Sequence, residues 1–147
     1  MKIVSACLAG IKCRYDGEAK PCPKIIELVK QGMAVPVCPE QLGGLSTPRF
    51  AQEVQGGSGE EVLDGKCKVI NKEGIDVTEN FLKGAEETLK IAQLIGAKEF
   101  IGKSKSSSCG CSKIYDGTFS DKLIKGDGVT TAFLKRNGIK VITEEDF

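Results

Sequence analysis

Four apolar runs of four or five residues, set apart by longer stretches of helical period, constrain this chain more than anything else in it. Residues 2–6, 34–37, 99–102 and 139–142 are too short for helices and rich in Ile, Val and Phe, the composition of buried strands. Between them lie helical patterns. Over 23–31, Pro23 sits near the start, Ile25, Leu28 and Val29 form an apolar stripe, and Gly32 is a stop signal. Over 78–95, Thr78 is the expected cap, Leu82, Ala85, Leu89 and Ala92 supply the buried stripe, and Gly96 ends it. Asp127 is read as the cap of a third helix, which carries Val129, Ala132 and Phe133 and stops at Asn137-Gly138. Strands alternating with helices predict an α/β fold, with a mostly parallel sheet covered by helices on both faces. Residues 61–63 and 66–70 flank Asp64-Gly65 and read as a small antiparallel hairpin excursion. Residues 40–60 and the stretch from 103 to about 125 read as loops. No linker, low-complexity segment or repeat interrupts the sequence, so residues 1–147 read as a single domain.

The second constraint is chemical. The chain has seven cysteines and no histidine, and cysteine is what it places at its strand ends. Cys7 closes the first run, Cys38 the second, and Cys109 lies on a Ser/Gly-rich loop leaving the third. In an open α/β sheet the carboxyl ends of the strands are where ligand sites form. Thiolates gathered there without imidazole favour a soft metal centre, with iron–sulfur the natural candidate. A lone cysteine is usually a small buried hydrophobe. These three lie beside turn residues instead of inside a periodic segment. Cys13, six residues after Cys7, is an alternative to Cys7 or a fourth ligand. Four thiolates close a cluster, whereas three leave one iron open to substrate. Cys111 makes a Cys-Gly-Cys pair with Cys109; Cys22, between two prolines, reads as a loop residue; Cys67 reads as core-facing.

Other residues on the same loops carry complementary chemistry. Glu40, two residues after Cys38, is a candidate general base, and Ser106, three before Cys109, a candidate donor or proton relay. The only two tyrosines, Tyr15 and Tyr115, both occur in Tyr-Asp-Gly turns, which suggests that the turns frame one pocket with rings against a flat ligand. Lys12, Arg14, Arg49, Lys103 and Lys105 lie on these loops and suit an anionic thiolate cluster or a substrate oxyanion.

Composition excludes several classes. A formal net charge of +1 gives no general field for nucleic acid or an anionic membrane surface. No apolar run approaches the ~20 residues of a membrane helix. The amino-terminal apolar stretch is too short for a secretory signal. A cytoplasmic protein with reduced thiols is expected, and the odd cysteine count argues against a disulfide framework.

Five strings then carry a specific resemblance. They are Ser5-Ala-Cys-Leu-Ala-Gly, Cys13-Arg-Tyr-Asp-Gly, Cys38-Pro-Glu-Gln-Leu-Gly-Gly-Leu-Ser-Thr-Pro-Arg49, Ser106-Ser-Ser-Cys-Gly110 and Ile114-Tyr-Asp-Gly-Thr-Phe119. Together they resemble the bacterial thiouracil desulfurase family over nearly the whole chain. The resemblance implies a small Rossmann-like domain holding an oxygen-sensitive [4Fe–4S] cluster on three cysteines. It implies that the fourth iron takes sulfur from a thiolated pyrimidine, here 2-thiouracil, with no net redox change. It places the ligands on Cys7, Cys38 and Cys109, with Cys13 as alternative, the acid–base carboxylate on Glu40 and the serine on Ser106. Arg14, Tyr15, Arg49, Lys103 and Tyr115 are the expected substrate contacts. One position departs from the usual Ser-Pro-Ser-Cys: Ser107 stands in place of proline, which removes a φ restraint.

Three readings compete. A structural or sensory iron–sulfur module without turnover needs four protein ligands. A zinc-binding interaction domain prefers two Cys-x-x-Cys pairs, which this chain lacks. A thiol-based redox or sulfur-transfer enzyme needs one reactive cysteine and no metal.

Overall fold

The computed structural model describes all 147 residues. Its first half runs β1 (Lys2–Ser5), a 3₁₀ turn (Ala6–Ala9), α1 (Pro23–Lys30), β2 (Ala34–Val37), a short α2 (Pro39–Leu42), β3 (Gln52–Gln55), α3 (Gly59–Leu63) and β4 (Lys68–Asn71). There follow α4 (Thr78–Leu94), β5 (Glu99–Gly102), β6 (Lys113–Tyr115), β7 (Leu123–Lys125), α5 (Val129–Arg136), β8 (Lys140–Thr143) and a closing 3₁₀ turn (Glu144–Asp146).

The four apolar runs pair with one another in a parallel sheet of order β2-β1-β5-β8. Ile3 stands opposite Val35 and Phe100, and Phe100 opposite Val141. Alternation along each strand divides the core in two. Val4 and Ile101 pack with Ala34 and with Ile25 of α1 on one face. Ile3, Phe100 and Val141 pack with Ala92 of α4 and Leu134 of α5 on the other. The sheet is thus covered on both faces, as the strand–helix alternation predicts. A third cluster joins Phe81 and Ala85 of α4 to Val54, Val69 and Ile114 under two antiparallel ribbons, β3-β4 and β6-β7.

The ribbons are where the structure corrects the sequence. The excursion is antiparallel, but β4 pairs with Gln52–Gln55, a segment read as loop because it lies between Gly43-Gly44, Pro48 and Gly56-Gly57-Ser58-Gly59. Residues 61–63 are helical. Ser58 and Glu61 form a capping box that starts α3, and Asp64-Gly65 is the helix stop, Gly65 taking a left-handed φ of 76°. The ribbon β6-β7 lies within the stretch read as one long loop. Two caps also differ. Val77 precedes α4, with the Asp76 carboxylate accepting the Thr78 amide at 2.9 Å and the Thr78 hydroxyl accepting the Val69 amide at 2.9 Å. Gly128 precedes α5, while Asp127 accepts the Ser112 amide at 2.8 Å and pairs with Lys135 at 2.9 Å. No helix is long and apolar enough to cross a membrane.

Candidate active site

Strand order reverses between β1 and β5. From β1 the chain crosses through α1 to β2 on one side, and β5 and β8 are laid down on the other. At such a switch point the loops beyond the strands diverge and leave a crevice. Here it is a cavity of about 660 Å³, within the usual size of a small-ligand site.

Each cysteine of the cavity has its own structural support. Cys7 lies in the 3₁₀ turn after β1, and Cys38 is the residue between β2 and α2. The short α2 can lie close against α4 only because glycines face each other. A Cβ on Gly84 would strike the Pro39 carbonyl, and one on Gly43 would strike the Asn80 carbonyl. Asn80 adds a hydrogen bond to the Gly43 carbonyl at 2.9 Å. Cys109 comes from the loop after β5, packed so tightly over the strand end that a Cβ on Gly102 would meet its carbonyl. The Cys109 carbonyl also accepts the Thr131 hydroxyl of α5 at 2.9 Å. Cys13 joins them from the loop after the first turn, its carbonyl 3.7 Å from the Cys38 sulfur.

Cys7, Cys13, Cys38 and Cys109 all line the cavity, and all are free thiols. For Cys13, Cys38 and Cys109 the surroundings favour the neutral form. The Cys13 thiol is pushed up to about 11: contact with Cys38 favours its thiolate, but contact with Cys7, burial and the charge of Glu40 outweigh that. Contact with Cys13, burial and the Glu40 charge raise Cys38. Burial, then the charges of Glu40 and Cys38, raise Cys109. Deprotonated together these sulfurs would repel one another, so they need a cation to share.

Glu40 reaches the same cavity from the first turn of α2. Its Oε2 accepts the Arg49 Nη2 at 3.1 Å, with the two side chains 15% and 6% exposed. Its other oxygen, Oε1, makes no hydrogen bond within the protein. Ser106 also lines the cavity. Its oxygen accepts the amides of Ser108 at 3.1 Å and Cys109 at 3.0 Å, which shapes the loop and leaves its own O–H to be donated. Ser107, in the proline position, donates to the Gln52 carbonyl of β3 at 3.0 Å. That bond ties the loop to the ribbon where the ring restraint is missing.

Both tyrosines of the Tyr-Asp-Gly turns line this one cavity, as do Arg14, Arg49, Lys103 and Lys105. Arg14 lies over the Tyr15 ring at 5.5 Å. Lys103 is already engaged, with the Ser104 carbonyl and hydroxyl at 3.0 Å each and Glu144 at 3.3 Å. Lys12, Cys22, Cys67 and Cys111 are not brought to the cavity. Cys22, Cys67 and Cys111 pack at the margins of the three hydrophobic clusters. Sequence reasoning missed Glu53, Phe119 and Glu144. Glu53, 8% exposed, accepts the amides of Gly117 at 2.9 Å and Phe119 at 3.2 Å. Phe119 lines the cavity in a left-handed conformation, φ 56°. Glu144 accepts the Ser104 amide through both oxygens, at 2.9 and 3.0 Å. Glu53 sits in a strand that looks like loop, and Glu144 beyond the last strand, so neither had a local signal.

The donor set fits an iron–sulfur cluster: four free thiols and no imidazole line the cavity, and thiolates are the ligands that hold such clusters.

Comparison with known proteins agrees with this chemistry. The family model for 2-thiouracil desulfurase matches residues 3–146, and the chain belongs to that family. It is 50% identical over 146 residues to the uncharacterized protein YbbK of Bacillus subtilis (strain 168), covering 99% of this chain and 97% of YbbK. Its structure matches that of the [4Fe-4S]-dependent thiouracil desulfidase TudS with a TM-score of 0.88 and 40% identity, over 99% of this chain and 91% of that one.

Proposed function

We propose that this protein is a [4Fe–4S]-dependent desulfurase that converts 2-thiouracil and water to uracil and sulfide, without net redox change. The cluster would be held by Cys7, Cys38 and Cys109, with Cys13 the alternative to Cys7. The observation that carries the reading is the meeting of four free thiols and the Glu40 carboxylate in a single cavity at the switch point. A cluster bound by three thiolates supplies a soft Lewis-acidic iron with an open position for a thiocarbonyl sulfur.

The chain's own residues do the rest. Glu40 Oε1 takes a proton from the water that attacks C2 of the ring, and the carbon–sulfur bond breaks as the C2 carbonyl forms. The Ser106 O–H, oriented by its two amide bonds, donates to the ring or to the departing sulfur. Tyr15, Tyr115 and Phe119 wall the flat base, and Arg14 and Lys105 offer positive charge to its oxygen. A small-molecule substrate in the cytoplasm, with no nucleic-acid partner, agrees with the near-neutral charge and with thiols that must stay reduced.

The test is anaerobic turnover. Reconstituted protein should release uracil and sulfide in equal amounts from 2-thiouracil. Four cavity thiols would also suit a closed cluster that only senses or stabilises. A loaded protein that neither binds 2-thiouracil nor releases uracil would favour that reading instead.

A further inference from the structure

Arg49 is buried more deeply than any other cation at the cavity for which an ion pair is formed, at 6% side-chain exposure, and it touches three separate segments. Its Nη1 lies 3.1 Å from the Cys13 carbonyl, 3.2 Å from the Ser46 carbonyl and 3.2 Å from the Thr47 hydroxyl. Its Nη2 holds Glu40 Oε2, and its own amide donates to the Tyr15 carbonyl at 2.8 Å. Its Nε is the one buried side-chain polar atom of the protein without a partner. A guanidinium is kept buried with one donor unpaired, at a cost, where its planar fork does something a simpler residue cannot.

We infer that Arg49 is a positioning residue that acts through Glu40. It fastens the Cys38–Glu40 turn to the Cys13 loop and the Ser46-Thr47 turn. By engaging Oε2 it fixes Oε1 as the oxygen that faces substrate. This departs from the role of substrate contact that the sequence suggested for Arg49, and it rests on Glu40 being the base of the proposed desulfuration. Lysine keeps the charge but is a point donor that cannot reach four acceptors on three segments.

The test is a double-mutant cycle with Arg49→Lys and Glu40→Gln, read twice. On reconstituted enzyme, Arg49→Lys should lower kcat roughly 10- to 100-fold with little change in KM, as expected when a catalytic group is displaced slightly. Iron content should not change, and in the Glu40→Gln background the same substitution should change kcat little. An equal loss in both backgrounds, a rise in KM alone, or loss of iron would overturn the inference. On the metal-free protein, urea midpoints of the four variants should be non-additive, because the two side chains are in contact; additive midpoints would overturn it too. Should Arg49→Lys not fold, Thr47→Val removes one Nη1 acceptor and should give a smaller loss of the same kind, absent in the Glu40→Gln background. If wild-type protein turns over no thiobase, the functional reading fails, and the metal-free cycle alone decides whether Arg49 and Glu40 act as a unit.

Discussion

The two walls of the cavity are built by different means. One is the carboxyl edge of the parallel sheet, with Cys7, Cys38 and Cys109 set on loops that leave β1, β2 and β5. Its strands are apolar, and each of β1 and β5 is paired on both sides. The other wall comes from the two-stranded ribbons β3-β4 and β6-β7, which bring Gln52, Glu53, Tyr115 and Phe119. An isolated two-stranded ribbon is marginal in water. These two are fixed by packing on α4 and by particular side-chain bonds: Glu53 to two amides, Ser107 to the Gln52 carbonyl. The fold itself makes the cysteine-bearing wall, whereas individual polar contacts make the ribbon wall. Changes to the first should therefore abolish the cofactor, and changes to the second should loosen substrate binding.

The largest effect tests the first wall. Cys38→Ala or Cys109→Ala should abolish cluster assembly, measured as iron per chain after anaerobic reconstitution. Cys22→Ala and Cys67→Ala should retain it, the latter losing roughly 1 kcal/mol of stability through lost packing. Iron lost from the Cys22 variant but kept by the Cys109 variant would reverse the ligand assignment.

Next in size is Glu40→Gln, which keeps the shape of the side chain and removes the proton acceptor. Turnover of 2-thiouracil should fall ~10²–10⁴-fold with the cluster intact. Uracil release at the wild-type rate from a fully loaded variant would remove Glu40 from the mechanism.

The same contrast explains what could be read in the sequence. The sheet was legible because strands buried on both faces must be short, apolar runs, and the cysteines at their ends inherit their position from that topology. The ribbons were not. Gln52–Gln55 buries one valine and one glutamate, and nothing in its pattern separates it from a loop. At Asp64-Gly65 the turn chemistry was real, but it ends a helix whose start was signalled by Ser58 and Glu61. For Glu53 and Glu144, contacts made across long sequence separations decide the role, and such contacts leave no local trace.

Glu53→Ala probes the second wall. It strands the amides of Gly117 and Phe119, each worth about 1–3 kcal/mol when left unpaired. A lower melting temperature and a several-fold higher KM, at unchanged iron content, are expected. Loss of iron with KM unchanged would erase the distinction between the walls.

The smallest effect concerns pH in the metal-free protein. The Cys13 thiol is raised from 9.0 to about 11 in the fold, so the folded state favours the protonated form. Its contribution to stability is fully present below the unfolded value and is lost as pH rises through the interval from 9.0 to about 11. Urea midpoints across that interval should fall more for wild type than for Cys13→Ala. Parallel falls would contradict the raised thiol.

The central claim, that the sheet edge is an iron–sulfur site, is tested most directly by assaying iron, zinc and acid-labile sulfide in protein purified and reconstituted without oxygen. The account predicts a brown, oxygen-sensitive protein with about four irons and four labile sulfides per chain. Stoichiometric zinc with no labile sulfide would contradict it.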